Sequence, residues 1–121
     1  LRFQPTVEAG RAATAELLNQ HPADRPDALL ASNGLLLLGA AQAIQSAGLQ
    51  MPHDIGLAGF DNNDWTTLPA LDVTVIEQPT YEIGRTAAEL LLQRLAEPTR
   101  PVRSVVLEGR LLARGSTRRG G

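Results

Sequence analysis

The stretch Asp54-Ile55-Gly56-Leu57-Ala58-Gly59-Phe60-Asp61-Asn62 decides the fold. Residues 55–60 are a continuous run of small and apolar side chains, and the run ends in a carboxylate. A strand covered on both faces reads this way, whereas a half-exposed strand alternates polar with apolar residues. Such strands belong to parallel sheets, and ligands of open α/β sheets bind just outside their carboxyl ends. Asp61 stands at that end.

The neighbouring segments fit the same sheet. Residues 28–32 predict a short apolar strand. Asn33 and Gly34 then open a helix over 35–47, and Gly48 suits the left-handed stop of a helix. Strand, helix and strand make a βαβ unit. Leu35, Leu36, Leu37 and Leu38 point in every direction, so the helix start is expected to be buried on most sides. Upstream, Thr6 can cap a helix over 7–19, with Glu8 in its first turn. Downstream, 62–70 is polar and irregular around Trp65, and 73–76 is a β-branched strand interrupted by Gln78-Pro79.

Residues 80–96 carry the cleanest helical period. Ile83, Ala87, Leu90, Leu91 and Leu95 form one stripe. If buried, each large side chain of the stripe contributes roughly 1.5–3 kcal/mol. Asp in place of Leu91 would then cost several kcal/mol. Residues 97–101 form a stiff loop, 102–107 and 111–113 predict two final strands, and 118–121 predict a disordered tail.

Composition narrows the chemistry. The 121 residues carry a net charge of -2, which gives no overall electrostatic footprint for nucleic acid. There is no cysteine, which excludes disulfides, thiolate catalysis and Cys-ligated metal. His21 and His53 are far apart, each beside a proline, and no HExxH or GxSxG spacing exists. We therefore expect no enzyme, no metal and no cofactor. No apolar stretch is long enough for a membrane span. The chain opens at Leu1 without Met and is only 3% aromatic, which predicts a piece of a larger protein.

The elements and their order resemble the LacI/GalR family of bacterial transcription regulators. The residues that carry the resemblance are Pro26-Asp27-Ala28-Leu29-Leu30-Ala31-Ser32-Asn33, Leu38-Gly39-Ala40, Ala47-Gly48-Leu49-Gln50-Met51-Pro52-His53-Asp54-Ile55 and Gly59-Phe60-Asp61-Asn62. Further on come Thr74-Val75-Ile76-Glu77-Gln78-Pro79, Ile83-Gly84-Arg85 and Arg114-Gly115-Ser116-Thr117. The family joins a helix-turn-helix DNA-binding domain to a two-lobed core.

The resemblance implies an α/β fold: an incomplete parallel-sheet lobe of a periplasmic-binding-protein-like (type I) fold. Residues 1–76 and 104–117 would belong to the C-terminal effector-binding lobe. Residues 77–103 would hold the hinge crossings and a helix that packs on an N-terminal lobe outside this chain. Alone, the exposed stripe of that helix would favour aggregation, a molten state or domain swapping.

The resemblance also implies a cytoplasmic, dimeric effector sensor. Its ligand would be a sugar or sugar acid, with no membrane partner, and operator DNA would be reached only through a helix-turn-helix absent from this chain. Asp61 would reach into the cleft and accept hydrogen bonds from ligand hydroxyls; its other reading is a cap after the strand. Asn33 would border the same crevice, or cap the following helix, or both. The family usually has Asp after this Asn, and Gly34 departs from that. Gln78 would touch ligand at the crossing, or make a hinge hydrogen bond. Trp65 would stack on a sugar ring, or plug its loop onto the surface or a dimer interface. Leu68, Pro69 and Leu71 resemble a dimer-pairing segment, or anchor an ordinary loop. An extracytoplasmic sugar-binding protein of an ABC transporter is the alternative with the same fold; the 78–84 and 114–117 blocks favour the regulator.

Overall fold

The computed structural model of the protein describes residues 4–118 and 120. The chain divides into two compact units, Leu1–Glu77 with Leu111–Gly121, and Gln78–Arg110. Residues 1–3 of the first expected segment, and Arg119 and Gly121 of the expected tail, lie outside the described residues. Arg118 is held locally: it donates from Nη2 to the Ala113 carbonyl at 3.1 Å.

In the first unit, α1 spans Val7–Leu18 and β1 Ala28–Leu30. Helix α2 spans Gly34–Ser46, β2 Gly56–Phe60 and β3 Thr74–Glu77. Strand β4, Arg110–Leu112, completes a sheet of order β1-β2-β3-β4. Strands β1, β2 and β3 run parallel, with Leu29 opposite Leu57 and Gly59 opposite Val75. Parallel pairing follows from sequence, because a helix rather than a tight turn joins β1 to β2.

Leu37 and Ile44 of α2 share one buried cluster with Ile55, Leu57, Val73 and Val75, all fully buried. Gly59 makes room for this packing, since a Cβ there would stand 2.7 Å from both Leu37 methyls. Helix α1 joins through Leu18. The two helices also meet backbone to backbone: a Cβ on Gly39 would stand 2.2 Å from the Val7 carbonyl oxygen, and one on Gly10 2.5 Å from that of Leu36. The caps match the sequence signals. Thr6 Oγ1 accepts from the Ala9 amide at 3.1 Å, and Gly48 ends α2 at a φ of 69°.

The opposite face of β3 is fastened by a short 3-10 turn, Gly115–Thr117. The buried Ser116 hydroxyl accepts from the Thr74 amide at 2.8 Å and donates to the Leu57 carbonyl at 2.5 Å. Asp72 Oδ2 accepts from the Gly115 amide at 2.8 Å. Thr117 and Thr74 share a hydroxyl–hydroxyl bond of 2.7 Å.

The second unit holds α3, Thr80–Ala96. Arg94 in its last turn donates to the carbonyls of Pro98 and Arg100. Ile83, Thr86, Ala87 and Leu90 border a groove of about 430 Å³ with Val105, Val106 and Leu107.

Three expectations need correction. Residues 102–107 form no strand; Val102 and Val106 are 91% and 88% exposed, and a β-branched run without a ladder partner stays irregular. The start of α2 is not buried on most sides: Leu37 is buried, but Leu35 is 53% exposed, because Leu35 and Leu38 line an open cleft instead of the core. No residue of α3 is buried, and Leu91 is 59% exposed, so the large cost expected for Asp at that position does not apply to this chain.

Candidate functional site

The carboxyl ends of β1 and β2 open into a cleft of about 640 Å³ within the first unit. That volume suits a small organic molecule. Asn33 follows β1, Asp61 follows β2, and Trp65 lies in the 3-10 turn Asp64–Thr67 just beyond. All three line the cleft together with Gly34, Leu38 and Asn63. Two neighbouring strands of a parallel sheet end side by side, so residues distant in sequence converge without any special loop.

Asp61 is held in a strained conformation. Its φ is 77°, in the left-handed region that L side chains other than Asn and Asp seldom visit. Its amide donates to the Ile76 carbonyl at 3.0 Å, which ties the turn to β3. Left-handed non-glycine residues cost about 1–3 kcal/mol and persist where surrounding structure enforces them. Aspartate is thus tolerated by the backbone, while its carboxylate supplies acceptors toward the cleft wall.

Asn33 serves its helix first. Its Oδ1 accepts from the amides of Leu35 and Leu36 at 3.1 and 3.0 Å. That spends the carbonyl end of the side chain on the cap and leaves the N–H₂ donors for other work. Trp65 is half-buried against the core, and with Leu35 and Leu38 it gives the cleft an apolar side. Gln78 is exposed and opens the second unit. Leu68 is 52% exposed, Pro69 is exposed, and Leu71 packs on the core.

Sequence reasoning missed the support behind Asp61. Arg114 donates to Thr66 Oγ1 at 3.0 Å, to the Val73 carbonyl at 3.1 Å and to Asn62 Oδ1 at 2.6 Å. Asn62 in turn donates to Glu77 Oε1 at 2.9 Å. Arg114 therefore joins the residue after Asp61 to Val73, just before β3, and to Thr66 within the 3-10 turn. A planar guanidinium with five donors can serve three acceptors at once. It also missed Asn63 as a cleft residue; the signal available was only a second amide directly after Asn62. Among the described residues, no group of three or more His, Asp or Glu side chains is placed to hold a metal ion, and no helix is long and apolar enough to cross a membrane.

Fold and cleft together define an α/β lobe with an open cleft and polar groups at the strand ends. Residues 2–117 match the periplasmic binding protein-like domain. The chain belongs to that family, in the form carried by LacI/GalR regulators. It is 36% identical over 104 residues to the HTH-type transcriptional regulator KdgR of Bacillus subtilis strain 168, covering 84% of this chain and 31% of that protein. A LacI family transcriptional regulator from Arthrobacter sp. FB24, in complex with lactose, superposes with a TM-score of 0.77 at 32% identity over 93% of this chain and 42% of that one. Another, from Enterococcus faecium with bound ribose, gives a TM-score of 0.79 at 32% identity over 97% of this chain and 42% of that one. The chain spans about a third of the length of the curated relatives it matches.

Proposed function

We propose that this chain is the C-terminal part of the effector-binding core of a bacterial LacI/GalR transcription regulator. It supplies one wall of an interlobe cleft that takes a sugar or sugar acid. The observation that carries this reading is the convergence of Asn33, Asp61 and Trp65 on one cleft beyond the strand ends. A carboxylate, an amide and an apolar ring face are what a polyhydroxyl ring needs: acceptors for hydroxyls, donors for oxygens, and a surface for C–H groups. The lactose and ribose complexes of similar regulators support the ligand class. The naming of KdgR as a transcriptional regulator supports this reading over a transport receptor.

In the intact cytoplasmic protein, Gln78 lies at a crossing and touches the ligand. Residues 77–103 carry the hinge crossings and lay the apolar stripe of α3 on an N-terminal lobe. Leu68, Pro69 and Leu71 pair two copies into a homodimer, which reads operator DNA through a helix-turn-helix. Ligand binding shifts the balance between DNA-competent and incompetent arrangements, which requires different affinities for the two. Coupling of this kind changes operator affinity by roughly 5–150-fold.

The test is operator binding by the complete gene product, titrated with neutral sugars and sugar acids. Asp61→Asn keeps the left-handed tolerance and the size of the side chain but removes the charge. It is expected to bind operator normally and to lose the effector response. A normal response at normal ligand concentration would refute the assignment of Asp61.

A further inference from the structure

We propose that Asn63 is a further ligand-recognition residue of this cleft, and that Gly34 is the positioning residue that admits it. This rests on the effector-binding reading above.

Gly34 is the first residue of α2 and has no side chain to fill the cleft floor. A Cβ built there would stand 2.9 Å from Asn63 Nδ2, 3.3 Å from Asp61 Oδ2 and 3.6 Å from Asp61 Cβ. The amide and the carboxylate therefore share the space that any other residue at position 34 would claim. Nothing in the backbone demands glycine, because its φ lies outside the left-handed range. The absence of a side chain is instead matched to what lies above it.

Three asparagines stand next to Gly34 or Asp61 in this part of the chain or line the cleft, and their hydrogen bonds separate their roles. Asn33 has its Oδ1 committed to the α2 cap. Asn62 has its Oδ1 on Arg114 and its Nδ2 on Glu77. Asn63 is fastened only through its backbone, whose carbonyl accepts from the Thr66 amide at 2.9 Å and the Thr66 hydroxyl at 2.6 Å. Among the described residues, its side-chain amide makes no hydrogen bond, so both its donor and its acceptor end are open to a ligand. Beside it stands the acceptor-only carboxylate of Asp61. The pair fits a ligand with a hydroxyl that donates to Asp61 and an adjacent oxygen that accepts from Asn63 Nδ2. Two neighbouring hydroxyls of a sugar, or a hydroxyl beside a carboxylate, present that pattern.

The experiment is calorimetric titration of the complete gene product with D-ribose, lactose and D-gluconate. The variants are Asn63→Ala, Gly34→Ala, the double variant and Asp61→Asn, each with a thermal melt. Asn63→Ala is expected to weaken the best probe roughly three- to tenfold, the value of one hydrogen bond. Gly34→Ala is expected to weaken it at least as much while the melting temperature holds or rises, since alanine favours a helix over glycine. In the double variant the Gly34→Ala penalty is expected to shrink, because its target is gone; two unrelated effects would simply add. If Asp61→Asn loses binding while Asn63→Ala binds as the wild type does, the Asn63 proposal falls and the effector reading stands. If the wild type binds none of the probes, both fall together.

Discussion

Ser116→Ala isolates the hydroxyl that joins β2 to β3. Ser116 is 1% exposed, and its Oγ accepts from the Thr74 amide and donates to the Leu57 carbonyl. Leu57 is fully buried and Thr74 is 5% exposed, so neither group can turn to water. Alanine removes one atom and leaves almost no void, so packing loss is small. The cost is the pair of orphaned groups. A buried donor or acceptor left without a partner costs about 1–3 kcal/mol, so two give about 2–6 kcal/mol. Domain stabilities are about 5–15 kcal/mol, so this is a large fraction of the whole. The assay is urea unfolding followed by circular dichroism. With a slope of about 2 kcal/mol/M, the midpoint is expected to fall by roughly 1–3 M without a change in slope. Ser104→Ala is the control, because Ser104 is exposed in the irregular segment. A loss at Ser116 no larger than that of the control, about 0.5 kcal/mol or less, would refute the claim that this hydroxyl satisfies two buried groups.

Gly39→Ala places a methyl 2.2 Å from the Val7 carbonyl oxygen, so α1 must lift off α2; a loss above about 3 kcal/mol in the same assay is expected. Gly48→Ala meets no atom within 4 Å and suffers only its φ of 69°, so a loss of about 1–2 kcal/mol is expected. Equal losses at the two glycines would contradict the backbone contact between the helices. Leu91→Asp, at a site 59% exposed, is expected to cost about 1 kcal/mol or less in this chain, but several in the complete gene product if α3 packs on a second lobe there. Equal small losses in both would remove that domain assignment. Arg114→Ala breaks three hydrogen bonds behind Asp61 and is expected to cost about 2–4 kcal/mol in urea unfolding, with Arg114→Lys recovering only part, because a lysine cannot serve three separated acceptors.

Much of the first unit was legible because its signals are local or strictly periodic. Thr6, Gly48 and the 55–60 run each mark an element by backbone chemistry, and the elements formed within a residue or two of expectation. The 102–107 segment failed for a different reason. Valine content reports how well a residue suits a pleated surface, not whether a partner strand exists to pair with it. The four leucines that open α2 misled in the same way. Apolar character was read as burial, yet Leu35 and Leu38 face a cleft, where apolar side chains are useful without being covered.

The site divides along the same line. Asp61 and Asn33 were visible because both follow strands, and the topology of parallel sheets carries strand ends to one edge. Gly34 was visible only as a departure, and its meaning lay in two side chains that come from a different loop. Arg114 was readable as one basic residue near the chain's end. What it does depends on three acceptors, at positions 62, 66 and 73, which only the folded sheet gathers. Sequence thus exposes a cleft residue at a strand end more readily than the residues that hold it in place. The strained φ of Asp61 makes that second group matter. Position 61 is left-handed with its amide on the Ile76 carbonyl and with Asn62 behind it fastened by Arg114, and strain of this kind persists where surrounding structure enforces it.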